Sequence, residues 1–317
     1  MSAKLNLDAA LPATDVVLTI GTFDGVHRGH QYLIRQVLQR ARETARLGAV
    51  LTFNPHPRAV LHPELPAAYL CTSHERIQSL REMGFDLVVV ADFDANLAQM
   101  PASEFVRNLY DQLRMRELWV GQDFTLGHRR EGSVARLQAL GAQMGYQMHI
   151  VAPLLEDGHP INSTRIRQLL SAGAVDEAAQ LLGRRYTLSG QVIPGRHVGR
   201  TLGIRTANIA CDPERVIPAN GVYAVWAEIE ATRHQAVVNI GIRPSFGLSE
   251  RLLEVHVLDY EAELYGHELS IQFVQRLRPE LRFSVINELV AQVQRDIEQT
   301  RTILSAAPAG EVGMENG

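Results

Sequence analysis

Between Val16 and about Leu182, short β-branched runs alternate with longer stretches whose apolar residues recur at helical spacing, and no other feature constrains the fold so strongly. Val16 to Ile20, Ala49 to Phe53, Leu87 to Ala91, Leu118 to Val120 and Met148 to Val151 read as strands. Gln31 to Arg46 sets Leu33, Ile34, Val37, Leu38, Ala41 and Ala45 on one helical stripe, and Ser103 to Arg114 and Ser133 to Met144 are similar. Repeated βα units predict a parallel sheet covered by helices. After Arg184 the helical signal gives way to short strands punctuated by glycine and proline. Gly221 to Ile229 and Gln235 to Ile240 can pair across the polar tip Glu230 to His234, and Leu252 to Leu258 and Leu269 to Leu277 add strands. This half predicts a small antiparallel β barrel with a closing helix from Val285 to Ile303. The fold class is therefore α/β plus β, with domains expected at 1–183 and 184–304 and a frayed tail at 305–317.

The length of 317 residues suits two cores, and 46% hydrophobic with 21% charged residues is ordinary for a globular chain. A formal net charge of -4 offers no general attraction to polyanions, so small substrates are expected rather than nucleic acid or an acidic membrane. Cys71 and Cys211 lie too far apart in sequence to suggest a disulfide framework or a cysteine metal site, and they read as core thiols. Met1 to Pro12 has no apolar run of signal-peptide length, and no later stretch approaches membrane-spanning length. A cytoplasmic location is expected.

An apolar strand ending at Ile20 runs into Gly21-Thr22-Phe23-Asp24-Gly25-Val26-His27-Arg28-Gly29-His30 and then a helix. A helix start carries unpaired N–H groups and a positive dipole end, which together bind anions. Gly21 and Gly25 allow close backbone approach, and His27 and His30, three residues apart, can face one phosphate. Taken alone, the His-x-x-His spacing reads as well as a pair of solvated caps; a zinc site lacks ligands nearby beyond Asp24. The strand-loop-helix context favours phosphate.

In the second half, Gly195-Arg196-His197-Val198-Gly199-Arg200-Thr201-Leu202-Gly203 has three glycines four residues apart and two arginines. It reads equally as a phosphate cradle or as a surface hairpin. Thr206 and Asn208 follow, two hard oxygen donors on one face of a strand and suited to magnesium. Glu254 and His256 alternate against Leu253, Val255 and Val257.

His27-Arg28-Gly29-His30 looks like the HxGH signature of the nucleotidyltransferase superfamily, and the string from Gly21 to His30 resembles bacterial FAD synthetases. Thr52-Phe53-Asn54-Pro55-His56-Pro57-Arg58, Val120-Gly121-Gln122-Asp123-Phe124 and Asn162-Ser163-Thr164-Arg165-Ile166-Arg167 resemble that family's motifs in the family's order. The glycine segment, Thr206-Ala207-Asn208, Asn239 to Phe246 and Leu253 to His256 are similar to bacterial riboflavin kinase modules. One departure stands out. The family normally has proline before Thr-Ala-Asn, often after phenylalanine, whereas here Ile204-Arg205 occupies that place, adding a cation near where ATP is expected.

The resemblance implies a Rossmann-like nucleotidyltransferase domain followed by a riboflavin kinase barrel. Riboflavin and ATP would give FMN and ADP, and FMN with a second ATP would give FAD and pyrophosphate. It implies catalytic roles for His27, His30, Arg165, Arg167 and Glu254, the last as base. Nucleotide binding falls to Gly21, Thr22, Phe23, Asp24, Gly25, Ser163, Thr164, Gly195, Gly199, Arg200 and Gly203. Flavin binding falls to Phe53, Asn54, Pro55, Asp123, Phe124 and Arg243, and magnesium binding to Thr206 and Asn208. Alternatives are a monofunctional FAD synthetase whose barrel only binds flavin, a flavin-sensing module without turnover, and nucleotidyl transfer to a non-flavin acceptor.

Overall fold

Val16, Leu18 and Ile20 point to one side of their strand and Val17 to the other, and all four are buried, so the strand must be covered on both faces. It is the centre of a sheet in the computed structural model of the chain, which describes residues 12–194, 205–245 and 248–307. The strands are β1 (Val16–Ile20), β2 (Leu47–Asn54), β3 (Leu87–Asp92), β4 (Met115–Gly121) and β5 (Gln147–Val151). All pair in parallel, in the order β3-β2-β1-β4-β5. The helices are α1 (Arg28–Glu43), α2 (Pro57–Leu61), α3 (Ser73–Glu82), α4 (Ala95–Gln99), α5 (Ala102–Gln112) and α6 (Val134–Met144). Phe105, Val106, Leu137 and Leu140 of α5 and α6 pack with Val16, Leu18 and Ile20. Ile34, Val37 and Leu38 of α1, with Leu80 of α3, pack with Val17 and Val50 on the opposite face.

Several boundaries differ from the sequence expectation, and the largest differences have local reasons. Helix α1 starts at Arg28 rather than Gln31 because the His27 side chain caps it, and it ends at Glu43 because Ala45 takes a φ of 49° as the chain turns into β2. Strand β4 begins before Leu118 because Glu117, fully buried, is neutralised by Arg40 at 2.9 Å and Arg46 at 2.7 Å. Helix α3 had no strong apolar stripe, but Thr72 and Glu75 form its capping box.

The second half is a closed antiparallel barrel of β6 (Thr187–Ile193), β7 (Ala207–Cys211), β8 (Gly221–Ile229), β9 (Thr232–Ser245), β10 (Leu248–Val257) and β11 (Glu268–Arg278). Its order is β6-β7-β10-β9-β8-β11, closing through the pairing of β6 with β11. The β8-β9 tip is tighter than the segment Glu230 to His234. Ile229 pairs with Thr232 across Glu230 and Ala231, both at positive φ, a two-residue turn built without the usual glycine or asparagine.

Helices α7 (Ser163–Ala172) and α8 (Val175–Leu182) precede the barrel, and α9 (Ile286–Ala306) follows it, continuing past Ile303. Chain contacts divide the protein into Met1–Ser163 and Thr164–Gly317. Most of α7, together with α8, thus groups with the barrel: α8 packs on β11, Ala219 N–H donates to the Leu170 carbonyl at 3.0 Å, and Arg276 donates to the Ala172 carbonyl at 3.2 Å. Among the described residues no helix is long and apolar enough to cross a membrane.

Candidate active sites

In the parallel sheet the strand order reverses at β1, which has β2 on one side and β4 on the other. Ligands of open α/β sheets bind in the crevice outside the carboxyl ends at such a switch point. Strand β1 runs there into Gly21 to His27, β2 into Asn54 and Pro55, and β4 into Gly121 to Phe124. Three motifs distant in sequence thus share one sheet edge, with the histidine loop in the middle.

That loop is held from below. Asp24 is buried, and its carboxylate accepts the N–H groups of Leu70 at 2.9 Å and Cys71 at 3.3 Å. Gly25 takes a φ of 79° and donates its N–H to the Cys71 sulfur at 3.0 Å. The Gly21 N–H extends the β1-β2 ladder to the Leu51 carbonyl at 3.1 Å. Ser163 Oγ donates to the Asp24 carbonyl at 3.0 Å, so the start of α7 is tied to the same loop. Phe23 and Val26 have φ values of 48° and 41°, unusual for such side chains and sustained by this scaffold. Asp24 and Gly25 therefore shape the loop, while Thr22 is half-buried at its rim.

His27 Nδ1 accepts the His30 N–H at 3.3 Å, capping α1 and leaving the ring proton on Nε2. The two imidazoles stack with centroids 3.6 Å apart, and the edge of Phe23 meets His30 at 5.1 Å. His30 is half-buried, and its Nδ1 is enclosed without a hydrogen-bond partner among the described residues. Burial, and secondarily His27, holds the His30 pKa well below its ordinary 6.5. His27 then presents an N–H donor at the helix N-terminus, and neutral His30 carries a single ring proton beside it. His27 is a cap, as its spacing allowed, but a buried one, at a helix end of the kind that favours anions. Gly29 is needed between the histidines because a Cβ there would lie 2.8 Å from the Ile161 carbonyl oxygen and 3.2 Å from the His27 ring.

To one side, Phe53 is half-buried against Phe93, edge to face at 5.5 Å, and Asn54 accepts from Ser73 Oγ at 2.9 Å before a cis bond to Pro55. To the other, Phe124 packs on the sheet core and Asp123 is exposed. Thr164 and the half-buried Arg165 and Arg167 lie on the first two turns of α7, around buried Ile166, and group with the second unit. Sequence reasoning missed two supports. Buried Arg76 donates to the Phe53 carbonyl at 2.6 Å, and Arg28 pairs with Glu156 at 3.0 Å. An arginine on the inner face of α3 was the legible signal for the first.

The barrel brings together a second set. Asn208 on β7 pairs across the ladder with Glu254 on β10, which pairs in turn with Asn239 on β9, giving a polar row. Leu253, Val255 and Val257 are buried on the opposite face, as their alternation requires. Asn208 is itself buried, and among the described residues its Oδ1 has no hydrogen-bond partner. A buried amide oxygen left unsatisfied is costly, and it fits a donor to a hard cation beside half-buried Thr206. Next to Thr206 opens a cavity of about 110 Å³, walled by Val192, Ala207, Val255 and Val257 and by Tyr260, Ala262, Glu263, Leu264 and Tyr265. The aromatic wall had no sequence signal of its own. Arg205 lines the same cavity. Gly195, Gly199, Arg200 and Gly203 lie outside the described residues, as does the side chain of Arg243 on β9.

A sequence model of a family described as FAD synthetase matches residues 11–165, and one described as riboflavin kinase matches residues 182–304. The chain is 36% identical over 296 residues to a bifunctional riboflavin kinase/FMN adenylyltransferase of Listeria monocytogenes, covering 92% of this chain and 94% of that one. It is 37% identical to the bifunctional enzyme of Pseudomonas fluorescens, with 92% and 94% coverage, and 37% identical to that of Escherichia coli K12, with 92% and 93%. A crystal structure from Streptococcus pneumoniae, described as a macrolide-efflux protein, superposes with a TM-score of 0.85 at 31% identity, over 93% of this chain and 96% of that one.

Proposed function

The chain belongs to the family of bifunctional riboflavin kinase/FMN adenylyltransferases, and from that premise we propose which of its residues carry each reaction. It phosphorylates riboflavin with ATP to FMN and ADP, and adenylylates FMN with a second ATP to FAD and pyrophosphate. The monofunctional reading is not favoured, since both modules are present.

The adenylylating module takes residues 1–183. The ATP phosphates meet the loop Gly21, Thr22, Phe23, Asp24 and Gly25 together with Ser163 and Thr164, and the flavin meets Phe53, Asn54, Pro55, Asp123 and Phe124. His27 and His30 donate hydrogen bonds to the phosphate oxygens as charge develops in the transition state, with Arg165 and Arg167 supplying cationic forks. The observation that supports this most directly is the stacked, neutral His30 beside His27 at the head of α1. No covalent intermediate is needed, because holding the FMN phosphate in line with the α-phosphate suffices.

The kinase module takes residues 184–304. Glu254 accepts the proton of the riboflavin 5′-hydroxyl as that oxygen attacks the terminal phosphate of ATP. The cavity beside Thr206 receives the ATP, Gly195, Gly199, Arg200 and Gly203 cradle its phosphates, and Arg243 contacts the flavin. Thr206 and the unsatisfied Asn208 Oδ1 would hold magnesium, whose chemistry when bound is to neutralise phosphate charge. A cytoplasmic location is supported by Cys71 and Cys211, neither of which forms a disulfide.

Incubation with riboflavin, ATP and magnesium, followed by chromatography, tests the assignment. The parent should form FMN and FAD. His30→Ala should form FMN but not FAD, and FAD formation surviving that change would remove His30 from the adenylylating site.

A further inference from the structure

Arg205 stands where a conformationally fixed residue would ordinarily lead into β7, and its contacts replace that stiffness with two tethers. Its carbonyl accepts the His256 Nδ1–H at 2.7 Å, which ties the entry of β7 to β10. Its Nη1 donates to the Glu261 carbonyl at 2.7 Å. Glu261 lies in the β10-β11 connection, the segment that gives the cavity its Tyr260, Leu264 and Tyr265 wall. The same connection is fastened at its ends. Asp259 pairs with Arg301 of α9 at 2.8 Å, and the Gly266 N–H donates to the Val192 carbonyl at 3.0 Å. Between those ends, the Arg205 guanidinium holds the connection to the strand bearing Thr206 and Asn208.

We infer that Arg205 is a positioning residue of the kinase reaction: it clasps the β10-β11 connection across the cavity and so sets the affinity of the kinase site for ATP. The inference rests on the reading of that cavity as the kinase's nucleotide site. A charge-assisted hydrogen bond to a backbone carbonyl holds the wall in the position that fits the nucleotide. Without it, part of the ligand's binding free energy goes to ordering the wall. Neither bond of the clasp involves Glu254, the proposed base, so it acts on ATP affinity and leaves the chemical step alone.

The test is steady-state FMN formation from riboflavin by the full-length protein, with FAD formation from supplied FMN measured in the same preparations as a reference for active protein. Arg205→Ala should raise KM for ATP by about 10-fold, the value of one hydrogen bond to a charged group, with kcat within about twofold. Arg205→Lys, which can still donate to the carbonyl, should recover most of that loss, and Arg205→Met, which keeps the aliphatic stem but cannot donate, should show it and replaces the alanine variant if that protein does not fold. Ala262→Trp, an exposed change at the cavity wall, tests the cavity itself and should raise KM for ATP at least as much. If Ala262→Trp weakens ATP while Arg205→Ala and Arg205→Lys both match the parent, the cavity reading stands and the clasp is wrong. If Ala262→Trp leaves KM for ATP unchanged, the cavity does not hold the nucleotide and the clasp falls with it. A fall in kcat at unchanged KM in Arg205→Ala also overturns it.

Discussion

A single methyl group separates Gly29 from alanine, and the space for it is already taken by the Ile161 carbonyl oxygen at 2.8 Å. Backbone cannot yield as a flexible side-chain end can, so Gly29→Ala must push aside either the 155–161 segment or His27. Overpacking of this kind costs about 1–3 kcal/mol, and displacing an imidazole lowers the rate further, so FAD formation from FMN should fall by at least about 10-fold. FMN formation measured alongside separates this from general misfolding. His30 gives a second prediction, in pH. Burial depresses its folded pKa, so from about 6.5 downward the unfolded chain binds the proton more readily, and stability falls as pH falls. Denaturant midpoints between about pH 7.5 and pH 5.5 should drop more steeply for the parent than for His30→Gln; parallel curves would mean that His30 is not held neutral. At this scale the sequence exposed the histidines, since a strand-loop-helix context with HxGH needs only local spacing. It could not expose what Asp24 does. The amides that Asp24 binds belong to Leu70 and Cys71, and only the folded sheet edge brings them beneath the loop.

Elements were legible where burial follows a simple period and obscure where an ion pair or a turn broke it. The alternation of Val16, Val17 and Leu18 between two helix layers is a βα signal that composition makes hard to miss. Glu117 hid the start of β4 because its carboxylate reads as surface until Arg40 and Arg46 reach it. Burial pushes its pKa up, but hydrogen bonds from Arg40 and Trp119 outweigh this and hold it below the ordinary carboxylate value. In α9, Asp296 looks like one more polar helix residue, yet it is buried and its carboxylate accepts from Arg278 Nη2 at 2.7 Å and from Gln292 at 2.8 Å. Removing one partner of a buried pair strands the other charge, so Asp296→Ala should destabilise the second unit by about 3–5 kcal/mol. Urea unfolding followed through kinase activity checks this. A loss below about 1 kcal/mol, the scale of an exposed pair, would show that water reaches Arg278 easily.

For the whole molecule, the change from βα repeats to a barrel was visible as a change of period, whereas the grouping of α7 and α8 with the barrel was not. Their stripes match a last βα unit equally well, and the deciding hydrogen bonds come from Ala219 and Arg276, far along the chain. Two chemistries in one chain raise the question of whether FMN leaves the protein between them, and the proposed residues allow it to be asked directly. Glu254→Gln removes the base and should lower FMN formation by about 10²–10⁴-fold while leaving FMN adenylylation intact. His30→Ala should do the reverse. Given riboflavin and ATP, each variant alone should make little or no FAD. Mixed, they should make FAD after a lag that shortens as total protein is raised, because FMN made by one molecule must diffuse to another. If each variant retains its single activity but the mixture stays silent at concentrations where added FMN is consumed, then FMN does not pass through solution, and the two reactions of this family member are confined to a single molecule.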